Sequence, residues 1–381
     1  MARKLIKTRV VLPLLVASLL VQAVVPLARV LTSYQALDLG LGPEIVGVLS
    51  ATFAILPVLL TILVGRFNDG GSVARMSLAG AICTLLACLV LWLPVPSLPT
   101  LLLGTAILGI GQIMLLSSLQ VITSLSSTRQ HRDTVLGNYM VAMSLGQAVG
   151  PLFFGLPRDG WLLPAIPVIG STLLIVATLV LLRVVHVREN AHTQTKVPLR
   201  EIAATPGLLW IVLTGSICVA ALDLLLAFLP VLGEERGIAP ATIGLLLSIR
   251  AAAAMIPRLV FGQAVRRFGR MPLMLASSGM GGIGLLMICL PLPVWAMAVT
   301  LALIGTGLGI ALASSVGLTM DIAPIRARGT ALSMRLTVHR LAQFFLPLAA
   351  GLIVAPLGVA GIFGVTGVTL LAALFARPRA L

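Results

Sequence analysis

The sequence predicts an all-α membrane protein of twelve transmembrane helices, built as two six-helix bundles related by a pseudo-two-fold axis. Three observations carry this prediction. The 381-residue chain is 59% hydrophobic and 10% charged, against about 25% charged residues in a soluble domain, so its solvent is lipid. Its apolar residues form twelve long runs, each close to the roughly 20 residues that a helix needs to span the hydrocarbon core. The last six runs echo the first six. Gly65 recurs as Gly262, Arg132-x-Thr134-x-Leu136 as Arg328-x-Thr330-x-Leu332, and Gln147, Pro151 and Gly155 as Gln343, Pro347 and Gly351. Continuous apolar runs favour helices over a β-barrel, whose strands alternate apolar and polar residues.

In chain order, the first predicted span is 10–34. It follows a basic tail (Arg3, Lys4, Lys7, Arg9) but is too long for the apolar core of a signal peptide. Spans two and three, 44–65 and 74–95, flank a short polar loop that opens at Gly65. The bare connection Pro94 to Pro99 leads into span four, 99–125, which carries Gln112 and Gln120. Span five, 135–155, holds Asn138, Tyr139 and a glycine series, and span six is 161–183. The longest polar segment, 184–206, then separates an N-terminal bundle, 1–183, from a C-terminal bundle, 207–381. The second set is 207–233, 240–264, 271–291, 293–318, 329–353 and 357–376. The other connections are too short to hold a catalytic or receptor domain.

A net charge of +15 suggests nucleic acid until its placement is read. Nineteen of the 26 Lys and Arg residues fall in alternate connections, at the span ends that border them or at the termini, and Arg158 and Arg236 alone fall in the opposite connections. This is the positive-inside pattern. It predicts a multi-pass protein of the inner membrane with both termini cytoplasmic, lipid as its surroundings and no nucleic-acid partner. Cys83, Cys88, Cys218 and Cys289 lie within apolar runs without metal-ligand spacing, so they read as small apolar fillers. No metal and no cofactor is expected.

Two matched halves have a natural cavity between them that can open to either side in turn. The loop after span two reads Gly65-Arg-Phe-Asn-Asp69-Gly-Gly71-Ser-Val-Ala-Arg75, and its counterpart reads Gly262-Gln-Ala-Val-Arg266-Arg267-Phe-Gly269-Arg270. These two copies, with the 6+6 duplication and central loop, resemble the major facilitator superfamily (MFS) over essentially the whole chain. The resemblance implies the MFS fold and a latch for the outward-facing state at Gly65, Asp69, Arg75, Gly262, Arg266 and Arg270. The glycine residues would permit close helix approach or a tight exit turn. Gly146, Gly150, Pro151 and Gly155 in span five resemble the antiporter motif of the family, and the same residues also suit plain helix packing. Two departures weaken a drug/proton antiport reading: Thr105 stands where such exporters carry Arg, and span one has no carboxylate.

The charges within the spans give the candidate site. An ionisable group at mid-membrane costs roughly 2.5–3.5 kcal/mol on insertion scales, so it faces a cavity or a partner. Span one has Arg29, span seven Asp223, span eight Arg250 and Arg258, and span eleven Arg335, His339 and Arg340. Arg335, His339, Gln343 and Pro347 are four residues apart and share one helix face; their counterparts are Tyr139, Met143, Gln147 and Pro151. The expected cavity residues are Arg29, Tyr34, Gln112, Tyr139, Arg250, Arg335, His339, Arg340 and Gln343. Asp223 has two readings, a buried ion pair with Arg250 or Arg29 or a proton carrier. His339 is either a proton-coupling group or a packing residue. Gln120, Asn138, Ser314 and Ser315 read as packing.

These residues point to a monomeric secondary transporter of a small organic solute. An excess of buried Arg favours an anionic one, because guanidinium holds a carboxylate in two parallel hydrogen bonds, and a proton gradient is the expected drive. The rival is a drug/proton exporter. A membrane enzyme or sensor fits less well: one intramembrane Asp and one intramembrane His cannot make a paired-carboxylate or zinc site. The chain is expected not to be an enzyme.

Overall fold

A computed structural model of the chain describes residues 2–68, 72–93, 96–125, 132–156, 160–184, 205–323 and 328–376. The described residues are helical, without a strand among them. The helices are α1 (Ala2–Asp38), α2 (Pro43–Phe67), α3 (Val73–Leu91), α4 (Leu98–Leu125), α5 (Arg132–Val149) and α6 (Leu162–Val184). They continue as α7 (Leu208–Glu235), α8 (Pro240–Phe268), α9 (Arg270–Ile288), α10 (Val294–Ile322) and α11 (Arg328–Phe375).

Three boundaries differ from expectation, each for a local reason. The basic tail joins α1, which begins at Ala2. Span five ends its α-helix at Val149 and finishes as a 3₁₀ segment, Gly150–Gly155, where Pro151 has no N–H to donate to the ladder. Spans eleven and twelve form one element, α11, broken at Gly358 with φ 68° and ψ 175°. That conformation is open to glycine and closed to other residues. The two arms on either side of Gly358 correspond to the two predicted spans.

Ten helices among the described residues are long and apolar enough to cross a membrane. The two segments missing from that set are α5 and the first arm of α11. These carry the polar stripes of the sequence, Asn138, Tyr139 and Gln147 in one and Arg335, His339, Arg340 and Gln343 in the other. The same residues that mark a candidate site therefore lower the hydropathy of their spans.

The chain divides into two compact units. Unit 1 comprises Met1–Leu41, Thr52–His192 and Ala239–Ser248, and unit 2 comprises Gly42–Ala51, Thr193–Ile238 and Ile249–Leu381. In unit 1, α1 packs against α4, α5 and α6, and α3 against α4 and α6. In unit 2, α7 packs against α10 and α11, and α9 against the same two helices. Lipid tails are as apolar as Leu, so such contacts rest on close van der Waals fit and small residues more than on apolar burial.

The duplication is visible in that fit. A Cβ on Gly109 of α4 would overlap the Phe53 carbonyl oxygen of α2, and one on Gly305 of α10 would overlap the Arg250 carbonyl oxygen of α8. In the span-five motif, Gly146 and Gly150 lie against the Leu19 and Ala23 carbonyls of α1 in the same way, whereas Gly155 has open space around it. At the far end of unit 2, the Trp210 indole N–H of α7 donates to the Ala373 carbonyl at 2.7 Å, which ties α7 to the second arm of α11.

Candidate functional site

The first arm of α11 sorts its side chains by face. Leu336, Leu341, Phe345 and Leu352 are exposed to the surroundings of the helix, while Arg335 and His339 are each 6% exposed. Arg340 and Gln343 are half-buried. The four-residue spacing read from the sequence therefore places a polar stripe against α7 and α10 and leaves the apolar stripe outward.

Two linked groups lie along this stripe. In the first, Gln343 bridges helices: its Nε2 donates to an Asp223 carboxylate oxygen on α7, and its Oε1 accepts from Arg340 Nη1 at 3.0 Å. The amide, with donors at one end and an acceptor at the other, bonds a carboxylate and a guanidinium at once. In the second group, Arg335 Nε donates to Ser315 Oγ on α10 at 3.3 Å. Gly215 of α7 faces the same spot: a Cβ there would overlap Ser315 Oγ and lie 3.5 Å from His339 Nε2. His339 Nε2 and Ser314 Oγ are buried without a hydrogen-bond partner among the described residues. Ser315, expected to serve packing, thus accepts the bond of a buried cation.

The other expected cavity residues are distributed. On α8, Arg250 is buried, and its carbonyl oxygen is the one that Gly305 abuts. The Arg258 side chain lies outside the described residues. In unit 1, the Arg29 guanidinium sits 4.3 Å from the centroid of the Phe53 ring, a cation–π contact. Tyr34 is buried with its ring 5.4 Å from that of Phe154. Tyr139 is buried, and Gln112 is half-buried.

The latch residues divide as well. Asp69 lies outside the described residues, as do the surroundings of Gly65. Arg75 and Arg266 are exposed. Gly262 sits inside α8 with Arg266 Nη1 3.9 Å from its Cβ position, and the chain turns at Gly269, whose φ is 80°. Arg270 donates to the Asp321 carboxylate and to the Gly317 carbonyl of α10. Sequence reading passed over Asp321 and also Asn68. The latter is buried at the end of α2, donating to Ser117 Oγ at 2.8 Å and accepting from Ser118 Oγ at 3.1 Å. An amide closing an apolar run, with a Ser-Ser pair in the span two further on, was the signal available.

Comparison with known proteins agrees with this architecture. The Major Facilitator Superfamily profile matches residues 14–238 and again 211–380, one match for each half. The chain belongs to that superfamily, a family of multi-pass membrane transporters and not of enzymes. No curated protein matches it in sequence. Among solved structures, it resembles the nucleoside transporter NupG at a TM-score of 0.74 and 16% identity, over 96% of this chain and 99% of that one. It resembles a D-xylose-proton symporter at 0.74 and 16%, over 97% and 96%. It also resembles a POT family transporter in complex with 5-aminolevulinic acid, at 0.77 and 14%, over 96% and 94%. At these identities the likeness establishes the fold.

Proposed function

We propose that this protein is a secondary transporter of the inner membrane that moves a small organic anion by alternating access, with protons as the coupling ion. The observation that carries the reading is the buried basic stripe of α11. Arg335 is almost wholly buried and is held by a serine hydroxyl. Arg340 is bound through an amide to Asp223, the one acidic residue in the interior of the predicted spans. Withdrawing a guanidinium from water costs several kcal/mol unless an anion or dense hydrogen bonding offsets it, and an anionic solute would supply that offset during transport. In this reading Arg29, Tyr34, Gln112, Tyr139 and Arg250 line the solute path, and Asp223 and His339 are the proton-coupling groups. Residues 1–183 and 207–381 act as the two moving bundles joined by 184–206, and the protein works as a monomer with both termini in the cytoplasm. The latch comprises Gly65, Asp69, Arg75, Gly262, Arg266 and Arg270. The Arg270–Asp321 contact supports it at one position.

The D-xylose-proton symporter is proton-coupled by its own name, which supports the same drive here. The rival reading, a drug/proton exporter, rests on the Gly-Pro motif of span five. Gly146 and Gly150 are accounted for by the close approach of α1, so the motif adds little to export.

Reconstituted protein should take up labelled organic acids when an inward proton gradient is imposed, and should give no drug resistance to a host that lacks its own pumps. Drug resistance without organic-acid uptake would overturn the proposal. Labelling of single cysteines placed in 184–206 from the cytoplasmic side alone tests the orientation.

A further inference from the structure

Arg335 and His339 of α11 and Ser315 of α10 meet at one point, where Gly215 lets α7 approach closely. A Cβ on Gly215 would lie within 3.5 Å of both Ser315 Oγ and His339 Nε2, and Ser315 Oγ is 3.3 Å from Arg335 Nε. All three side chains are more than nine-tenths buried. The serine oxygen accepts from Arg335, so its own proton is available to a further acceptor. The guanidinium fork has more donors than the single bond to serine uses. His339 Nε2 is buried without a partner among the described residues, and carries a donor when the ring proton resides there.

The fold does not require these groups. At the duplicated positions of span five, 196 residues earlier, Tyr139 stands for Arg335 and Met143 for His339. On α4, Ser118, the counterpart of Ser314, bonds the Asn68 amide. In the second half the position matching Asn68 is Val265, which cannot bond, and Ser314 Oγ has no described partner. The first unit packs the same helices with an ordinary amide–hydroxyl contact, whereas the second concentrates donors and positive charge at that level.

We infer that Arg335, His339 and Ser315 form a binding site for the carboxylate group of a small organic acid. This deepens the transporter reading and rests on its anionic-solute part. The guanidinium takes the carboxylate in a two-pronged contact, Ser315 donates its hydroxyl proton to the same group, and His339 closes the third side. Arg340 lies about 7.5 Å further along the helix axis, at 1.5 Å per residue, and Gln343 already occupies it.

The test uses the purified full chain in lipid nanodiscs with acetate and succinate as probes and acetamide as the neutral control, read by isothermal titration and by thermal shift. The expected result is saturable binding of the acids and none of acetamide. Affinity should drop at least tenfold in Arg335→Gln, recover in part in Arg335→Lys, and weaken several-fold in Ser315→Ala. Where Arg335→Gln does not give monodisperse protein, Ser315→Ala decides. Acid binding that persists unchanged in these variants overturns the site while leaving the anion transporter intact. A wild-type protein that binds neither acid overturns the site, and uptake of neutral or cationic solutes instead overturns the anion reading as well.

Discussion

Replacing Gln343 with Leu removes the one amide that joins Asp223 of α7 to Arg340 of α11 while keeping a side chain of similar bulk. Two hydrogen bonds are lost, each with a charged partner. In water-soluble proteins such bonds contribute about 1.5–3 kcal/mol each. Within bilayers, measured side-chain contacts average about 0.6 kcal/mol and reach about 1.7, because the unfolded chain in the membrane also finds partners. The bilayer figures apply here, so the expected loss is about 1–3 kcal/mol. At about 2–4 °C per kcal/mol for larger domains, the midpoint of thermal unfolding should fall by roughly 2–12 °C. Tryptophan fluorescence in detergent suits the measurement, since Trp210 lies on α7 of the same unit. A double-mutant cycle with Asp223→Ala isolates the pair, and neighbours in one network should couple by at least about 0.5 kcal/mol. An unchanged midpoint, or strictly additive losses, would refute the bridging role of Gln343.

Gly109→Ala and Gly305→Ala each drive a methyl into a backbone carbonyl, an overpacking cost of about 1–3 kcal/mol. Gly137→Ala meets nothing within 4 Å and should be neutral or stabilising by up to about 1 kcal/mol, since Ala favours helix over Gly; thermal unfolding compares the three. Asn68→Leu strands Ser117 and Ser118 and should cost about 1–3 kcal/mol, read in the same assay, with Asn68→Ser less severe. Arg270→Gln should change stability by less than about 1 kcal/mol, because its pair with Asp321 is solvent-accessible. If the pair acts as a latch, that variant should alter the initial rate of uptake, and the exchange Arg270→Asp with Asp321→Arg should restore it.

The helices were legible because each rests on a run of some twenty apolar residues, and a bilayer admits no other use for such a run. The stripe of α11 was legible for a related reason. Residues four apart share a face, and a face bearing Arg335 and His339 cannot meet lipid cheaply. Partners within the stripe were less so. The bond of Asp223 to Gln343 was not foreseen, because Gln343 stood in the cavity set with no partner assigned. An apolar period gives the face of a helix but not which of several amides and hydroxyls on the facing helices comes within 3 Å. Ser315 and Asn68 illustrate the same limit, since a hydroxyl or an amide in a span is more often a packing residue and nothing in the local sequence distinguishes the exceptions. The turn at Gly269, and not at Gly262, shows that a repeated glycine marks equivalent positions without fixing what the backbone does there.

The duplication itself offers a further handle on function. Contacts that the fold needs are present in both copies: Gly109 and Gly305 clear the same kind of carbonyl, and Pro151 and Pro347 stand at matching places. Charge does not follow the duplication. Arg335 and His339 replace Tyr139 and Met143, and Arg250 replaces Phe53, the ring on which Arg29 rests. A buried cation is costly wherever it is placed, and one copy shows that the packing can be made without it. The residues at which the second copy departs toward charge are therefore those whose presence packing does not explain. They fall on α8 and on the α11 stripe that faces α7 and α10, which is where recognition of an anion has to be sought.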